Sequence, residues 1–460
     1  MAAPSPSSPP NLLSPPPPFR SLEASYFLRT CSSFSQLKQI HTRVIKHNLA
    51  NDQLLVRQLI SVSSSFGETQ YASLVFNQLQ SPSTFTWNLM IRSLSVNHKP
   101  REALLLFILM LTHHRSQFDK FTFPFVIKAC LASSSSLRLG TQVHGLAIKA
   151  GFFYDVFFQN TLMDLYFKCG KPNCGRKVFD KMPGRSIVSW TTMLYGLVSN
   201  SQLDSAEIVF NQMPTRNVVS WTAMITAYVK NRRPDEAFQL FRRMQVDDHV
   251  KPNEYTIVNL LQASTQLGSL SMGRWVHDYA HKNGFVVDCF LGTALIDMYS
   301  KCGSLQDARK VFDVMQSKKS LATWNSMITS LGVHGCGEEA LSLFQDMEEE
   351  ASVEPDAITF VGVLSACANT GNVKEGLKYF TWMIQVYGIS PIPEHYACMI
   401  QLLEKALEVY EVSDLVDDSM DSYLNYNSSF GNEYTDQVNE RHETPSQHQI
   451  MFSKWDTGRF

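Results

Sequence analysis

Residues 218–253 read VVSWTAMITAYVKNRRPDEAFQLFRRMQVDDHVKPN, and residues 187–217 just before them read IVSWTTMLYGLVSNSQLDSAEIVFNQMPTRN. A segment of this length that recurs marks a solenoid, in which one supersecondary unit stacks on the next because it cannot bury its apolar face alone. Trp221, Met224, Ile225 and Tyr228 fall at i, i+3, i+4 and i+7, one stripe of an α-helix. A second helix follows. Pro234 suits its first position, where a missing N–H costs nothing, and Asp235 and Glu236 suit the positive end of its dipole. Its stripe is Ala237, Leu240, Phe241 and Met244, and Lys251-Pro252-Asn253 breaks it before the cycle restarts.

The same template runs along most of the chain. The second-helix stripe recurs as Ala103, Leu106, Phe107, Met110, as Ala206, Val209, Phe210, Met213, and as Ala340, Leu343, Phe344, Met347, while first helices recur around Trp87, Trp190 and Trp324. Between these lie two variant classes, one with words such as KACLASSSSLRLGTQVHGLAIKAGF, the other with words such as TALIDMYSKCGSLQDARKVFDVM. The repeats span 21–52, 53–83, 84–119, 120–155, 156–186, 187–217, 218–253, 254–288, 289–320, 321–356 and 357–392, with an incomplete one from Pro393. This pattern predicts an all-α fold: a right-handed α-solenoid superhelix of helix-turn-helix repeats, one continuous array over residues 21–403.

Net charge over the 460 residues is −2, but it is unevenly spread. Residues 404–460 carry 12 acidic and 4 basic side chains, which leaves residues 1–403 at a net +6. The repeat body is therefore mildly basic and compatible with a polyanion, and the acidic tail reads as disordered. No run of eighteen apolar residues exists, so no membrane span is expected. The nine cysteines contain no C-x-x-C pair, and Cys31, Cys130 and Cys367, like Cys169 and Cys302, recur at equivalent repeat positions. Small buried groups explain that recurrence better than metal or disulfide. His41, His144 and His277 recur likewise and read as packing or capping residues. No metal site and no cofactor are expected. Residues 1–20 hold eight prolines, several serines, no acid and one arginine, the composition of a disordered organellar transit segment, chloroplast ahead of mitochondrion.

The quoted words, with LIDMYSKCGSLQDARKVFDVM for a short repeat and KACLASSSSLRLGTQVHGLAIKAGF for a long one, resemble the plant pentatricopeptide repeat family, in its class with alternating standard, long and short repeats (the PLS class). The resemblance covers about residues 21–403. It implies one base of single-stranded RNA per repeat, read by the fifth and last residues, with the second residue packing on base faces. Carried over here, the pairs are Asn88 with Asp119, Asn160 with Ser186, Thr191 with Asn217, Thr222 with Asn253, Thr293 with Ser320 and Asn325 with Asp356, and the packing residues are Phe85, Val188, Val219 and Ala322.

Side-chain chemistry gives such pairs a logic. A carboxylate only accepts, so aspartate suits the N3–H of uracil or the N1–H of guanine; an asparagine amide also donates, suiting N1 of adenine or N3 of cytosine. A short threonine leaves room for a purine, and a longer asparagine reaches the smaller pyrimidine. With the N-terminal repeats towards the RNA 5′ end, repeats 84–119 to 321–356 imply U, any base, C, A, A, any base, a purine, U. Long repeats carry Pro124, Val258 and Val361 at the fifth position and read no base edge. The competing reading is that Asn and Thr near the start of first helices merely cap them.

The closing repeat begins as PEHYACMIQLL and changes character after Leu403. The family's E-type region is truncated or replaced, and the His-x-Glu and C-x-x-C of a zinc deaminase domain, the DYW type, are not found in these residues. The resemblance implies a non-enzymatic binder of organellar RNA that recognises sites for C-to-U editing, with editing or RNA-processing proteins as partners in trans and no small-molecule substrate. The alternatives are an RNA processing, stability or splicing factor and a helical scaffold that binds proteins.

Overall fold

The computed structural model describes residues 20–113, 118–246, 249–315, 319–350 and 353–409. Among these residues there are 23 α-helices, from Ser21–Arg29 to Pro393–Val409, and no strand. The expected all-α solenoid of helix-turn-helix repeats is the observed fold. The chain divides into two compact units, Met1–Val286 and Val287–Phe460.

Within each unit, hairpin stacks on hairpin, and first helices pack on first helices. In repeat 218–253 the first helix is Val218–Lys230 and the second Pro234–Val246. Trp221, Met224, Ile225, Ala237, Leu240, Phe241 and Met244 are all buried, as the stripes require. Arg232 takes the left-handed conformation between the helices (φ 55°), the turn that Gly303 (φ 82°) makes in repeat 289–320 at lower steric cost.

Successive repeats meet at a recurring aromatic joint. Phe210 meets Trp221 edge-on at 4.9 Å, Phe179 meets Trp190 at 4.9 Å, and Phe312 meets Trp324 at 5.1 Å. A cation covers each joint: Arg216 lies 4.9 Å from the Phe210 ring, Arg185 4.5 Å from Phe179, and Lys319 4.4 Å from Phe312. Arg185 and Arg216 also donate from Nε to the carbonyls of Phe179 and Phe210 near the helix ends, which accept the backbone N–H of Met182 and Met213 as well.

Amide side chains tie the far ends of first helices together. Asn97 donates to Ser64 O, Asn200 to Phe167 O and Gln266 to Val229 O in one unit, and Asn369 donates to Gly332 O in the other. Lys405 Nζ continues this ladder to Asn369 O at 2.8 Å. The first helix of the incomplete repeat accordingly runs past Leu403 to Val409, so the break in sequence character at residue 404 precedes the helix end. Residues 1–19 and 410–460, which hold most of the expected transit segment and acidic tail, lie outside the described residues.

Candidate nucleic-acid interface

The loop before most first helices is fixed by its N-cap, and that cap is the last residue of the preceding repeat; helix Thr122–Leu131, whose N-cap is Phe121, is the exception. Asn253 Oδ1 accepts from Thr256 N at 2.9 Å while Thr256 Oγ1 accepts from Asn253 N, a capping box. Asn217 with Ser220, Ser186 with Ser189, Ser320 with Thr323 and Asp356 with Thr359 repeat this arrangement. Asp119 accepts from Phe121 N and Thr122 N through Oδ1. The fifth residues lie a full turn inside their helices and cap nothing. Capping therefore belongs to the other member of each pair, which explains why that position is drawn from Asp, Asn and Ser.

Cap geometry then decides what each side chain shows. Helix N–H groups must be met by an oxygen, so an asparagine cap commits Oδ1 and leaves its Nδ2 donor, whereas an aspartate cap commits one carboxylate oxygen and leaves the other. The hydrogen bonds that Asp356 accepts through its side chain end on Oδ1, from Ile358 N, Thr359 N and Asn325 Nδ2. Asn253 likewise spends Oδ1 on Thr256 N, Thr256 Oγ1 and Thr222 Oγ1. Asp356 thus keeps an acceptor, Oδ2, and Asn253 a donor, Nδ2. A serine cap has a single oxygen, so it keeps no second acceptor atom, only its own O–H.

Packing of neighbouring first helices brings fifth and last residues together. Asn88 Nδ2 donates to Asp119 Oδ1 at 2.7 Å, Asn325 Nδ2 to Asp356 Oδ1 at 3.0 Å, and Thr222 Oγ1 to Asn253 Oδ1 at 3.4 Å. Thr293 reaches Ser320 indirectly, since Thr323 Oγ1 lies 2.9 Å from Thr293 Oγ1 and 3.0 Å from Ser320 Oγ. Among the described residues Asn160 and Ser186 share no hydrogen bond, nor do Thr191 and Asn217; Thr191 Oγ1 turns back to Val188 O. Helices Leu321–Val333 and Ala357–Thr370 are both glycine where they cross: a Cβ on Gly332 would meet Gly362 O at 3.1 Å.

The hydroxyl at the third helical position is a functional feature that the sequence reading missed. Thr359 Oγ1 donates to Asn325 Oδ1 at 2.7 Å, and Thr256 Oγ1 lies 2.7 Å from Thr222 Oγ1, so each hydroxyl ties cap to fifth residue. Its signal was present: serine or threonine follows each of these caps by three residues. In repeat 84–119 Thr122 Oγ1 turns to Asp119 instead, and Asn88 Oδ1 is left buried without a partner.

Second-position residues stand beside the pairs and face outward. Phe85 is 54%, Val188 55% and Val219 48% exposed, and Ala322 is exposed as well. Leu54, Phe121, Phe157 and Tyr255 occupy the same position and are also exposed, four residues the sequence reading did not assign. Exposed aromatic and aliphatic faces at one register suit base stacking. Phe121 and Phe157 are the second residues of repeats 120–155 and 156–186, and their rings meet edge-on at 5.9 Å. Pro124, at the fifth position of repeat 120–155, is buried.

Recurring cysteines and histidines lie apart from these pairs. Cys130 and Cys367 are buried, and burial pushes both thiols up to about 12. Cys169 and Cys302 are only half-buried because they end first helices as C-caps, and Cys31 is half-buried too, so full burial does not extend to them. His41 and His144 place Nδ1 2.6 and 2.9 Å from the hydroxyls of Tyr71 and Tyr166, and burial holds both imidazoles below their ordinary pKa. His277 is half-buried. Among the described residues no helix is long and apolar enough to cross a membrane.

Stacked helical hairpins that present one residue pair per repeat define a helical-repeat protein. The chain belongs to the pentatricopeptide repeat family. The PPR repeat family matches residues 216–264 and 319–369, and the PPR repeat matches 85–114, 160–187, 188–218 and 293–320. Pentatricopeptide repeat-containing protein At3g26630, chloroplastic, of Arabidopsis thaliana is 90% identical over 460 residues, 100% of each chain. At1g59720, chloroplastic/mitochondrial, of the same plant is 38% identical over 84% of this chain and 56% of its own length, and At4g18840 is 40% identical over 85% and 77%. The solved structure of the pentatricopeptide repeat protein PPR10 in complex with an 18-nt psaJ RNA element aligns over 85% of this chain and 63% of that one, with a TM-score of 0.53 and 17% identity, a likeness of fold. The 90% identical relative is a chloroplast protein by name, and the chloroplast location expected for this chain agrees with it.

Proposed function

We propose that the chain is a sequence-specific single-stranded RNA-binding protein of the chloroplast that recognises sites for C-to-U editing, the deaminase being supplied in trans. The observation that carries the RNA reading is the pairing of fifth and last residues beside an exposed second residue, with the cap turning a donor or an acceptor away from the helix. RNA binding is also what the fold relative PPR10 does in its solved complex. The alternation of standard, long and short repeats, the PLS pattern, supports editing over the processing and stability roles. Asn with Asp then selects U, Thr with Asn selects A, and the array reads U, any base, C, A, A, any base, a purine, U.

A gel-shift titration tests RNA binding. An oligonucleotide carrying that string is expected to bind more tightly than a scrambled one, with affinity falling as salt rises. Equal and salt-independent behaviour of the two would instead mark a protein-binding scaffold. Comparison of chloroplast transcripts from plants with and without the protein tests the outcome: lost editing at defined cytidines supports site recognition, and altered transcript ends with intact editing would replace it with processing.

A further inference from the structure

Apolar positions that are buried in the complete repeats lie open at the last hairpin of the array. Phe210, Phe312 and Phe344 of second helices meet Trp221, Trp324 and Phe360 of the next first helices, and all six rings are buried. Phe380 meets Tyr396 in the same way, with ring centroids 5.9 Å apart, yet Tyr396 is 42% exposed and Phe380 only half-buried. Ile400, one turn further, is 56% exposed, whereas Ile225 and Ile328 at that position are fully buried.

Helix Val373–Gln385 is bare on the same side. Leu377 and Ile384 are exposed, at positions whose counterparts in repeat 218–253 touch the following second helix: Phe238 meets Trp275 at 6.4 Å, and Gln245 donates to the Tyr279 hydroxyl. Among the described residues no second helix follows Pro393–Val409. Leu377, Phe380, Ile384, Tyr396 and Ile400 thus line a slot that the repeat pattern shapes for one more helix.

The sequence beyond Val409 supplies one in register. In complete repeats a first helix of 13 residues, such as Val218–Lys230 or Leu321–Val333, is followed by a short turn. The second helix then starts at Pro234 or Gly337 and buries Ala237, Leu240, Phe241 and Met244, or Ala340, Leu343, Phe344 and Met347. Pro393–Val409 has 17 residues, so the same spacing starts the next helix at Ser413 and gives it the inner stripe Val416, Ser419, Met420 and Tyr423. Asp414, Asp417, Asp418 and Asp421 fall on the opposite side.

We propose that residues 413–426 fold back as an amphipathic helix into this slot, with Val416, Met420 and Tyr423 against the open first helix and the aspartates towards solvent. A solenoid needs such an end unit with a polar outer face, because its last apolar face otherwise meets water. So short a helix is marginal alone in water, and its order therefore depends on the slot. A partner supplied in trans then docks elsewhere than on this end.

Hydrogen–deuterium exchange on the full chain tests this, with an isolated peptide of residues 410–430 as reference. Amides of residues 416–424 are expected to exchange at least about tenfold more slowly in the chain than in the peptide. Val416→Asp with Met420→Asp is expected to abolish that difference and to speed exchange around Tyr396 and Ile400. Ile400→Asp, a change at an exposed position, is expected to abolish it from the other side. Slow exchange around Trp324 and Phe344 shows the array still folded; should Ile400→Asp unfold it, the double variant decides. Equal exchange in chain and peptide would overturn the proposal, as would protection that survives in the folded variants. Protection lost on dilution, together with a dimer in sedimentation, would also overturn it and assign the slot to a second copy.

Discussion

In repeat 218–253 the last residue is Asn253, and in repeat 321–356 it is Asp356; each caps the next first helix through Oδ1, accepting from Thr256 N at 2.9 Å and from Thr359 N at 3.0 Å. Each is tied to its fifth residue by the same third-position hydroxyl, and each repeat hangs on the same phenylalanine–tryptophan joint under a basic side chain. What differs is the atom left over, an amide donor in one and a carboxylate oxygen in the other. The scaffold is therefore indifferent to the choice between asparagine and aspartate, because the helix asks only for an oxygen. The ligand-facing edge can change without a change in the fold.

Loss of the shared joint should have the largest effect and should be alike in both repeats. Trp221→Ala and Trp324→Ala each remove a buried ring and are expected to cost about 3–5 kcal/mol in denaturant unfolding. A large cost in one and none in the other would show that the two scaffolds are not equivalent. Removing the cap altogether should cost less: Asn253→Ala and Asp356→Ala are each expected to lose about 1–2 kcal/mol.

Exchange within the cap should sharpen the comparison further. Asp356→Asn keeps Oδ1 on the helix and turns a donor outward, so stability should hold within about 0.5 kcal/mol while the preferred base moves from U towards C. A variant destabilised as much as Asp356→Ala would mean that the charge, not the oxygen, makes the cap.

Acid should distinguish the two repeats by a smaller amount. His395 is fully buried beneath repeat 357–392, with Nε2 donating to Ala357 O, next to the Asp356 cap, and Nδ1 accepting from Ile392 N. Burial holds its pKa below the ordinary 6.5, despite the Ala357 carbonyl and Glu394. Between the lowered value and 6.5 the unfolded chain binds the extra proton, so stability is present above 6.5 and falls as pH drops through that window. Hydrogen exchange near Ala357 should accelerate from pH 7 to 5 relative to that near Glu254. Equal pH dependence at the two sites would remove His395 as the cause.

The sequence made the repeats legible because apolar spacing and turn residues answer to local chemistry: Trp221, Phe241 and Met244 lie where the helical period puts them. The fifth-to-last pairs were readable only through the register of a resembling family, since a contact across 31 residues leaves no local trace. Capping was visible as a set of residue types, but the competing reading placed it on the wrong member of the pair, because Asn88 and Thr222 lie near a helix start in sequence and a full turn inside it in space. Thr256 and Thr359 escaped notice because a threonine in a helix is unremarkable until its hydroxyl is seen between two other side chains.

The most direct measurement converts one repeat's edge into the other's. Thr222→Asn together with Asn253→Asp gives repeat 218–253 the pair of repeat 321–356, on a cap that accepts either residue. Binding to four RNAs that differ only at the fifth base of the string should show the preference moving from A to U, with overall affinity and melting temperature little changed. An unchanged preference for A in the folded double variant would contradict the claim that the atom left over by the cap reads the base.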